Sequence, residues 1–190
     1  MNIVSTFLVL VFSGLIAACS PITEKDLAEL QSSNDAVKKA AIQKFATGER
    51  FPISLVEPFL NRSREKKAVA IMAELLRGGG ESEDIQVNIL KAMGELGKRT
   101  QVPVSPLIEK LKERNPRIRL QAVESLGKIK NKEAVPALVQ LLEKERNTYP
   151  IIWALGEIGD KSALPALNRL LASGDKYARY NANKALRKIR

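Results

Sequence analysis

An internal repeat constrains this chain more than any other feature of its sequence. The string LGKIKNKEAVPALVQLL, residues 126–142, recurs 29 residues later as LGEIGDKSALPALNRLL, residues 155–171, with ten of the 17 positions identical. A fixed period of this length is typical of repeat architectures, in which each copy stacks on its neighbours because it cannot bury its apolar face alone. The chain is therefore predicted to be an array of stacked structural units.

An apolar stripe defines the first helix of each unit. When Leu126 and Leu155 are taken as the reference position, the same slot in other copies holds Phe45, Met72, Met93 and Leu186. Apolar residues recur four positions before and three positions after most of these, which is the spacing of one helix face. Residue types that cap helices stand eleven positions before the reference at Asn34, Asn61, Ser82, Asn115 and Asp175. This register predicts five to six units between residues 33 and 190.

A shorter second helix follows the first in most units. Pro136 and Pro165 occupy equivalent positions in a first helical turn, where proline costs no hydrogen bond, and each precedes an apolar stripe of leucines. Between Met72 and Met93 the spacing shortens to 21 residues and includes three consecutive glycines. The second unit is therefore predicted to lack its second helix and to have a glycine loop instead.

A small residue directly follows the reference position in most copies. Glycine inside a helix costs about 1 kcal/mol relative to alanine, so Gly94, Gly127 and Gly156 require a structural reason. Close approach of the helix in the neighbouring unit provides one. In the last copy Arg187 takes this position, which predicts the polar outer face of a terminal, capping unit.

The first residues have the composition of an export signal. The apolar run before Cys19 is about 15 residues long, which is short for a membrane span and typical of a secretory signal. Residues 16–19, Ile-Ala-Ala-Cys, resemble the bacterial lipobox. This resemblance implies that residues 1–18 are a lipoprotein signal peptide and that Cys19 carries fatty acyl chains. No Lys or Arg precedes the apolar run, unlike in most such signals, and a buried thiol in an N-terminal core helix is the alternative.

The lipobox resemblance also implies a domain organisation and a cellular location. Residues 19–32 would form the lipidated N-terminus and a short tether to a repeat domain over residues 33–190. Ser20 follows the cysteine in place of the Asp that resembles an inner-membrane retention signal. We therefore expect the protein in the bacterial cell envelope, at the periplasmic face of the outer membrane.

The repeat also resembles a known family. LGEIGDKSALPALNRLL, residues 155–171, is similar to the HEAT-like repeats of phycobilisome lyases, and the resemblance extends over residues 33–190, most strongly in the later copies. It implies an all-α fold, an α-solenoid of antiparallel helix pairs in a right-handed superhelix. It also implies that the second helices line the concave side.

The composition excludes most catalytic chemistry. The chain has no histidine and one cysteine, so it cannot form a Ser-His-Asp triad, a Cys-His pair or an imidazole metal site. We expect a non-enzymatic protein with no catalytic residues, no metal site and no cofactor. The enzymatic alternative is a carboxylate mechanism through residues such as Glu95 and Glu157, which otherwise are solvated surface glutamates.

Protein–protein interaction is the function that this sequence favours. A solenoid offers a long exposed surface, and we expect a monomeric, membrane-anchored scaffold with an unidentified protein partner. The alternatives are a HEAT-like lyase-type enzyme, or a binder of anionic lipid or nucleic acid through a basic surface. The formal charge of +10 supports an acidic partner. Nucleic acid is disfavoured because an exported lipoprotein would rarely meet it.

The candidate partner-binding residues lie in the last two copies, and they are Trp153, Tyr180, Arg179, Lys184 and Arg187. Trp153 points about 200° away from the apolar stripe of its helix, which predicts an exposed binding residue. The alternative is that the neighbouring unit, or Tyr149 and Tyr180, cover its ring. The basic residues of the last helix would bind an acidic protein or lipid headgroups, or would only complement the helix dipole.

Overall fold

The computed structural model describes residues 23–47, 57–145 and 148–189. In these ranges the chain forms ten α-helices and no strand. They are α1 (Glu24–Glu29), α2 (Asp35–Thr47), α3 (Glu57–Gly78), α4 (Glu83–Leu96), α5 (Ser105–Lys110), α6 (Pro116–Ile129), α7 (Val135–Leu142), α8 (Tyr149–Ile158), α9 (Leu164–Leu171) and α10 (Lys176–Ile189). The predicted signal peptide and Cys19 lie outside the described residues.

The helices form two layers. In the first layer α2, α4, α6, α8 and α10 stack side by side in chain order, and in the second layer α3, α5, α7 and α9 each pack on the first-layer helix that follows them. The core lies between the layers, where the reference residues Phe45, Met93, Leu126 and Leu155 are fully buried. This arrangement confirms the predicted all-α solenoid of helix pairs.

The register assigned to Met72 was wrong. Its helix, α3, belongs to the second layer, and α2 and α4 stack directly on each other. Asn61 accordingly lies inside α3 and does not begin a helix. The pattern misled because helices of both layers bury an apolar stripe with the same helical spacing, as Ala68 and Met72 do.

This correction changes the number of units. The described residues contain five first-layer helices, and the first four of these are each followed by a second-layer helix. The prediction that one unit lacks its second helix was therefore wrong as well. The shortened spacing of 21 residues ran from a second helix to a first helix, and the glycines near Gly79 connect two units.

Most predicted helix starts are confirmed by their capping hydrogen bonds. Asn34 Oδ1 accepts from the backbone N–H of Ala36 at 2.9 Å, and Asn115 and Asp175 make the corresponding bond at 2.9 and 2.8 Å. Ser82 differs, because its hydroxyl donates to Asp35 Oδ2 at 2.9 Å and makes no cap bond. These polar side chains satisfy backbone donors that the first helical turn leaves open.

The segment expected to be a tether contains a packed helix. Thr23 and Asp26 form a capping box at the start of α1, and Leu27 and Leu30 are buried against the core. Asp26 also accepts a hydrogen bond from Lys44 of α2 at 2.7 Å. Part of the range 19–32 is therefore held against the first unit.

The two repeated strings have the same local structure. Helices α6 and α8 are followed directly by the C-cap residues Lys130 and Gly159, which both have a left-handed backbone, at φ 59° and 72°. Asn131 and Asp160 then cap short 3₁₀ turns by accepting a backbone N–H at 2.8 Å. The prolines that follow lie in the first turns of α7 and α9, as predicted.

The glycines of the first layer lie where adjacent helices almost touch. A Cβ atom added at each would stand 3.0 Å from a backbone Cα atom of the next first-layer helix, well inside the about 3.5–4.0 Å of normal carbon contacts. The pairs are Gly94 with Ser125, Gly127 with Ala154, and Gly156 with Ala185. The predicted close approach between units is confirmed.

Ion pairs join neighbouring units along one edge of the first layer. Glu95 accepts hydrogen bonds from Lys98 at 2.5 Å and from Lys128 of the next unit at 2.9 Å. Lys98 first, and then Lys128, hold the pKa of Glu95 below its ordinary value. The ion pair between Glu95 and Lys128 therefore connects α4 to α6.

Glu157 makes the equivalent contacts one repeat further on. It accepts hydrogen bonds from Lys188 of α10 and is paired with Lys130 at 3.0 Å, so it lies between cations from both neighbouring units. Lys188 first, and then Lys130, lower the pKa of Glu157. Its carboxylate therefore stabilises the stack in its charged form.

Replacing Gly156 by alanine tests the close approach. Alanine normally stabilises a helix by about 1 kcal/mol relative to glycine. Here the new Cβ would meet Ala185 Cβ at 2.9 Å, so we expect Gly156→Ala to lower the free energy of unfolding by about 1–3 kcal/mol in urea melts. Gly174→Ala is the matched control, because nothing lies within 4 Å of a Cβ there. A stabilising Gly156→Ala would contradict the packing.

The Glu157 contacts predict a pH dependence. A carboxylate with a lowered pKa in the folded state stabilises fully above its ordinary pKa of 4.5, and this contribution is lost as the pH falls through the lowered value. Glu157→Gln should reduce stability at pH 7 by about 0.5 kcal/mol, and its difference from the parent should vanish in acid. Glu109→Gln, which removes an exposed carboxylate without an ion pair among the described residues, should show no such pH-dependent difference.

Candidate functional site

The aromatic residues with polar groups are concentrated on one face of the fold. The sequence has three tyrosines and one tryptophan, and all four lie on α8 and α10. Tyr149 is 56% exposed, Tyr177 82% and Tyr180 68%, while Trp153 is partly buried. Spacings of three and four residues place Tyr149 with Trp153, and Tyr177 with Tyr180, on the same side of their helices. That side faces away from the second layer.

Trp153 is covered in part by the neighbouring unit. Its indole atom Cζ3 lies 2.6 Å from the position of a Cβ at Gly127, so the ring occupies space that the glycine leaves open on α6. The ring also packs against the core. This arrangement agrees with the alternative that the adjacent unit covers Trp153, and only part of the side chain is available to a partner.

Tyr180 and Lys184 form the accessible centre of the predicted set. Both side chains are exposed and lie one turn apart on the same face of α10. Arg187 is also exposed, and it lies three residues after Lys184 and seven residues after Tyr180, which is the same side of the helix. Helical spacing thus brings Tyr180, Lys184 and Arg187 to one side of α10.

Arg179 has a local role. It is partly buried, and its guanidinium donates to the backbone carbonyl of Ser173 in the loop that precedes α10. This bond holds the start of α10 in place. Arg179 was predicted as a binding residue, and in the structure its guanidinium stabilises the fold.

Two exposed residues were missed in the sequence. Tyr177 is the most exposed aromatic residue of the described chain, and Leu120 is 39% exposed on α6. The signal was present, because Leu120 stands six positions before its reference residue, as Tyr149 and Tyr180 do. The sequence did not reveal that this register position is exposed to solvent, because its exposure depends on how the helices stack.

The surface of α10 is positively charged. The described residues of this helix include five cations and no Asp or Glu. Lys188 is bonded to Glu157, whereas Lys176, Lys184 and Arg187 form no ion pair among the described residues. The earlier helix α4 differs, because its carboxylates Glu83, Asp84 and Glu95 form ion pairs with cations of α6. The exposed tyrosines of α10 are therefore surrounded by uncompensated positive charge.

A groove lies nearer the opposite end of the stack. An open groove of about 520 Å³ runs across the first turns of α2, α4 and α6. Arg117 spans it and donates to Glu83 at 3.1 Å and to Asp84 at 2.7 Å. The hydrogen bond to Asp84, followed by that to Glu83, raises the pKa of Arg117. The charge of Arg117 is thus balanced by these two carboxylates.

The two candidate catalytic carboxylates are held in ion pairs. A general acid near neutral pH requires a raised pKa, whereas those of Glu95 and Glu157 are lowered by their lysines. Within residues 23–47, 57–145 and 148–189, no cluster of three His, Cys, Asp or Glu side chains could hold a metal ion. In the same ranges, no helix has both the length and the apolar character that crossing a membrane requires.

Comparison with solved structures supports the solenoid fold. The phycocyanin lyase complex of CpcE and CpcF from Nostoc sp. PCC7120 contains a chain that matches with a TM-score of 0.67 at 24% identity. The match covers 90% of this chain and 66% of that chain, slightly less than two thirds of its length. A designed armadillo repeat protein in complex with the peptide (KR)4 matches with a TM-score of 0.63 at 19% identity, over 87% of this chain and 80% of that one. These identities show a shared fold.

Comparison with sequence families identifies the repeats. A search of curated proteins finds no significant match. The family model for HEAT repeats matches residues 69–151, and that for the PBS lyase HEAT-like repeat matches residues 151–173. The second range contains α8 from Ile151 onward and all of α9, where the repeated string was recognised. The chain is therefore a HEAT-repeat protein that includes a PBS lyase HEAT-like repeat.

Proposed function

We propose that this HEAT-repeat protein is a lipid-anchored scaffold of the bacterial cell envelope that binds another protein. The observation that carries the proposal is the exposed aromatic surface of α8 and α10. Exposed tyrosines combine apolar area with a hydrogen-bonding hydroxyl, and such residues are enriched at protein interfaces. Because Tyr149, Tyr177 and Tyr180 are all more than half exposed, they offer this area without any rearrangement of the core.

The structural neighbours support binding to a polypeptide. The matched phycocyanin lyase chain comes from a complex of two proteins, CpcE and CpcF. The designed armadillo protein is found in complex with a basic peptide. Solenoids present long surfaces built from successive units, which suits extended partners. The described part of this chain has that architecture, and its basic end favours a partner of opposite charge.

The anchor is proposed from the sequence around Cys19. Helix α1 is packed on the first unit and begins at Glu24, five positions after the cysteine. At about 3.3–3.6 Å per residue, this segment reaches no further than about 18 Å. A lipid on Cys19 would therefore hold the first unit close to the bilayer and leave α8 and α10 at the other end of the stack.

A lyase-type enzyme is the second candidate. The match of residues 151–173 to the PBS lyase HEAT-like repeat favours it. The ion pairs of Glu95 and Glu157 do not favour it, because both carboxylates are stabilised in the charged form. Binding through the aromatic surface is compatible with either candidate, so we base the main proposal on binding.

Replacing Cys19 tests the anchor. We expect Cys19→Ser to abolish incorporation of labelled fatty acid and to leave the precursor uncleaved, because the sulfur is the only thiol in the chain. Labelling of cells followed by gel analysis measures both effects. Gly174→Ala, which leaves the signal region unchanged, is the control for expression. Equal labelling of the Cys19→Ser variant and the parent would refute the lipoprotein assignment.

A photo-crosslinking residue at position 177 tests protein binding. Tyr177 is 82% exposed, so a benzoylphenylalanine there should form one discrete adduct with another protein in intact cells. The same residue at position 161, where Lys161 is exposed in a 3₁₀ turn, is the matched control and should form none. Adducts of equal yield at both positions, or none at position 177, would contradict the proposed binding surface.

A further inference from the structure

Exposed apolar residues recur at one register position of the repeat. The slot six residues before the reference holds Val87, Leu120, Tyr149 and Tyr180 in four consecutive first-layer helices. Val87 is partly buried, whereas Leu120 is 39%, Tyr149 56% and Tyr180 68% exposed. We call Leu120, Tyr149 and Tyr180 the outer row. Because equivalent residues of stacked helices lie side by side, the outer row crosses three units as a continuous line.

The outer row contains most of the large hydrophobic residues that are exposed in the described chain. The large hydrophobic residues exposed in the described chain are Val37, Leu120, Tyr149, Tyr177 and Tyr180. Three of these five form the outer row, and Tyr177 flanks it one turn away on α10. Packed helices lie about 8–10 Å apart, so two steps give the outer row a length of about 20 Å. A contiguous apolar surface of this kind marks an interaction site.

Positive charge flanks the outer row at α10. Lys176 and Lys184 stand four residues before and four residues after Tyr180, and hence on the same face of the helix. Both are exposed and neither forms an ion pair among the described residues. At the other end, Glu124 lies one turn after Leu120 on α6 and is partly buried. The charge along the outer row is therefore asymmetric, with its cations around Tyr180.

This asymmetry distinguishes a polypeptide from a membrane surface. An anionic bilayer presents the same charge everywhere, so it would attract Lys176 and Lys184 but repel Glu124. A polypeptide segment can place carboxylates at Tyr180 and apolar side chains along the rest of the outer row. Charge complementarity therefore favours a protein segment.

We infer that the outer row binds an acidic amphipathic segment of a partner protein, with the acidic end of the segment at Lys176 and Lys184. This inference rests on the proposed protein-binding function and specifies the chemistry of the partner. The surface belongs to the first helices of the units, the layer opposite the second helices that the family resemblance placed on the concave side. Apolar side chains of the segment would lie on Leu120 and Tyr149.

Synthetic peptides test the chemistry directly. At 1.5 Å per residue, a helix of about 14 residues spans the outer row, and leucines at helical i, i+3, i+4 and i+7 spacing give it one apolar face. We would titrate the full chain in detergent with such a peptide, carrying glutamates toward one end, and with a scrambled peptide of identical composition. Fluorescence anisotropy and Trp153 emission report binding, because Trp153 is the only tryptophan and lies one turn from Tyr149. The amphipathic peptide should bind about tenfold more tightly than the scrambled one.

Variants locate the binding surface. Tyr149→Ser combined with Tyr180→Ser should weaken peptide binding about tenfold, a size typical of the loss of interface anchors, while leaving the melting temperature unchanged because both side chains are exposed. Lys176→Gln with Lys184→Gln should weaken binding about threefold and reduce its salt dependence. The matched control is Lys66→Gln with Lys161→Gln, which makes the same charge change on exposed residues outside the first layer and should leave affinity unchanged.

Other results would overturn the inference. Equal affinity for the two peptides, or equal losses in the Lys176/Lys184 and Lys66/Lys161 pairs, would show charge attraction without recognition of the outer row. Binding to phosphatidylglycerol vesicles that is lost in the Tyr149/Tyr180 variant, with no peptide binding, would assign the outer row to a membrane. If no peptide binds but position 177 still forms its crosslinked adduct, the protein-binding function stands and the outer-row inference fails.

Discussion

The structure depends on the close approach of successive first-layer helices. At Gly94, Gly127 and Gly156 the neighbouring backbone comes so near that even a methyl group would clash. The distance between units is therefore set by backbone contact, which leaves little freedom to slide or rotate one helix against the next. The approach is equally close at all three junctions, where the added Cβ would stand 3.0 Å from a Cα atom of the next helix.

Polar contacts between units rely on the same geometry. Ser125 is fully buried next to Gly94, and its hydroxyl donates to the carbonyl of Leu90 at 2.7 Å, so the junction of α4 and α6 contains no unsatisfied hydroxyl there. Glu95 and Glu157 reach lysines of adjacent units because residues at equal register meet at one edge. The ion pairs thus follow from the stacking distance and reinforce it.

The same geometry turns a sequence position into a surface. Once helices are stacked in register, a residue type repeated at one slot becomes a line on the protein, and Leu120, Tyr149 and Tyr180 form such a line. Binding along such a line would require no pocket. In this fold we expect binding at exposed register positions that hold apolar residues where polar ones would be usual. The buried register positions are already used for packing the core.

The sequence alone determined the repeat between residues 126 and 171 and the starts of α2, α6 and α10. The roles of Asn115 and the repeated prolines can be inferred from the sequence because they depend on residues only a few positions away. The role of Gly127 can be inferred because a close backbone approach leaves no room for a side chain. Tertiary structure alone decided the layer of α3, because either layer buries the same helical stripe and only the stacking of α2 on α4 excludes one choice. It also decided the position of Trp153. Helical geometry directs that side chain outward, but the missing side chain at Gly127 on the neighbouring helix leaves space that the indole ring fills.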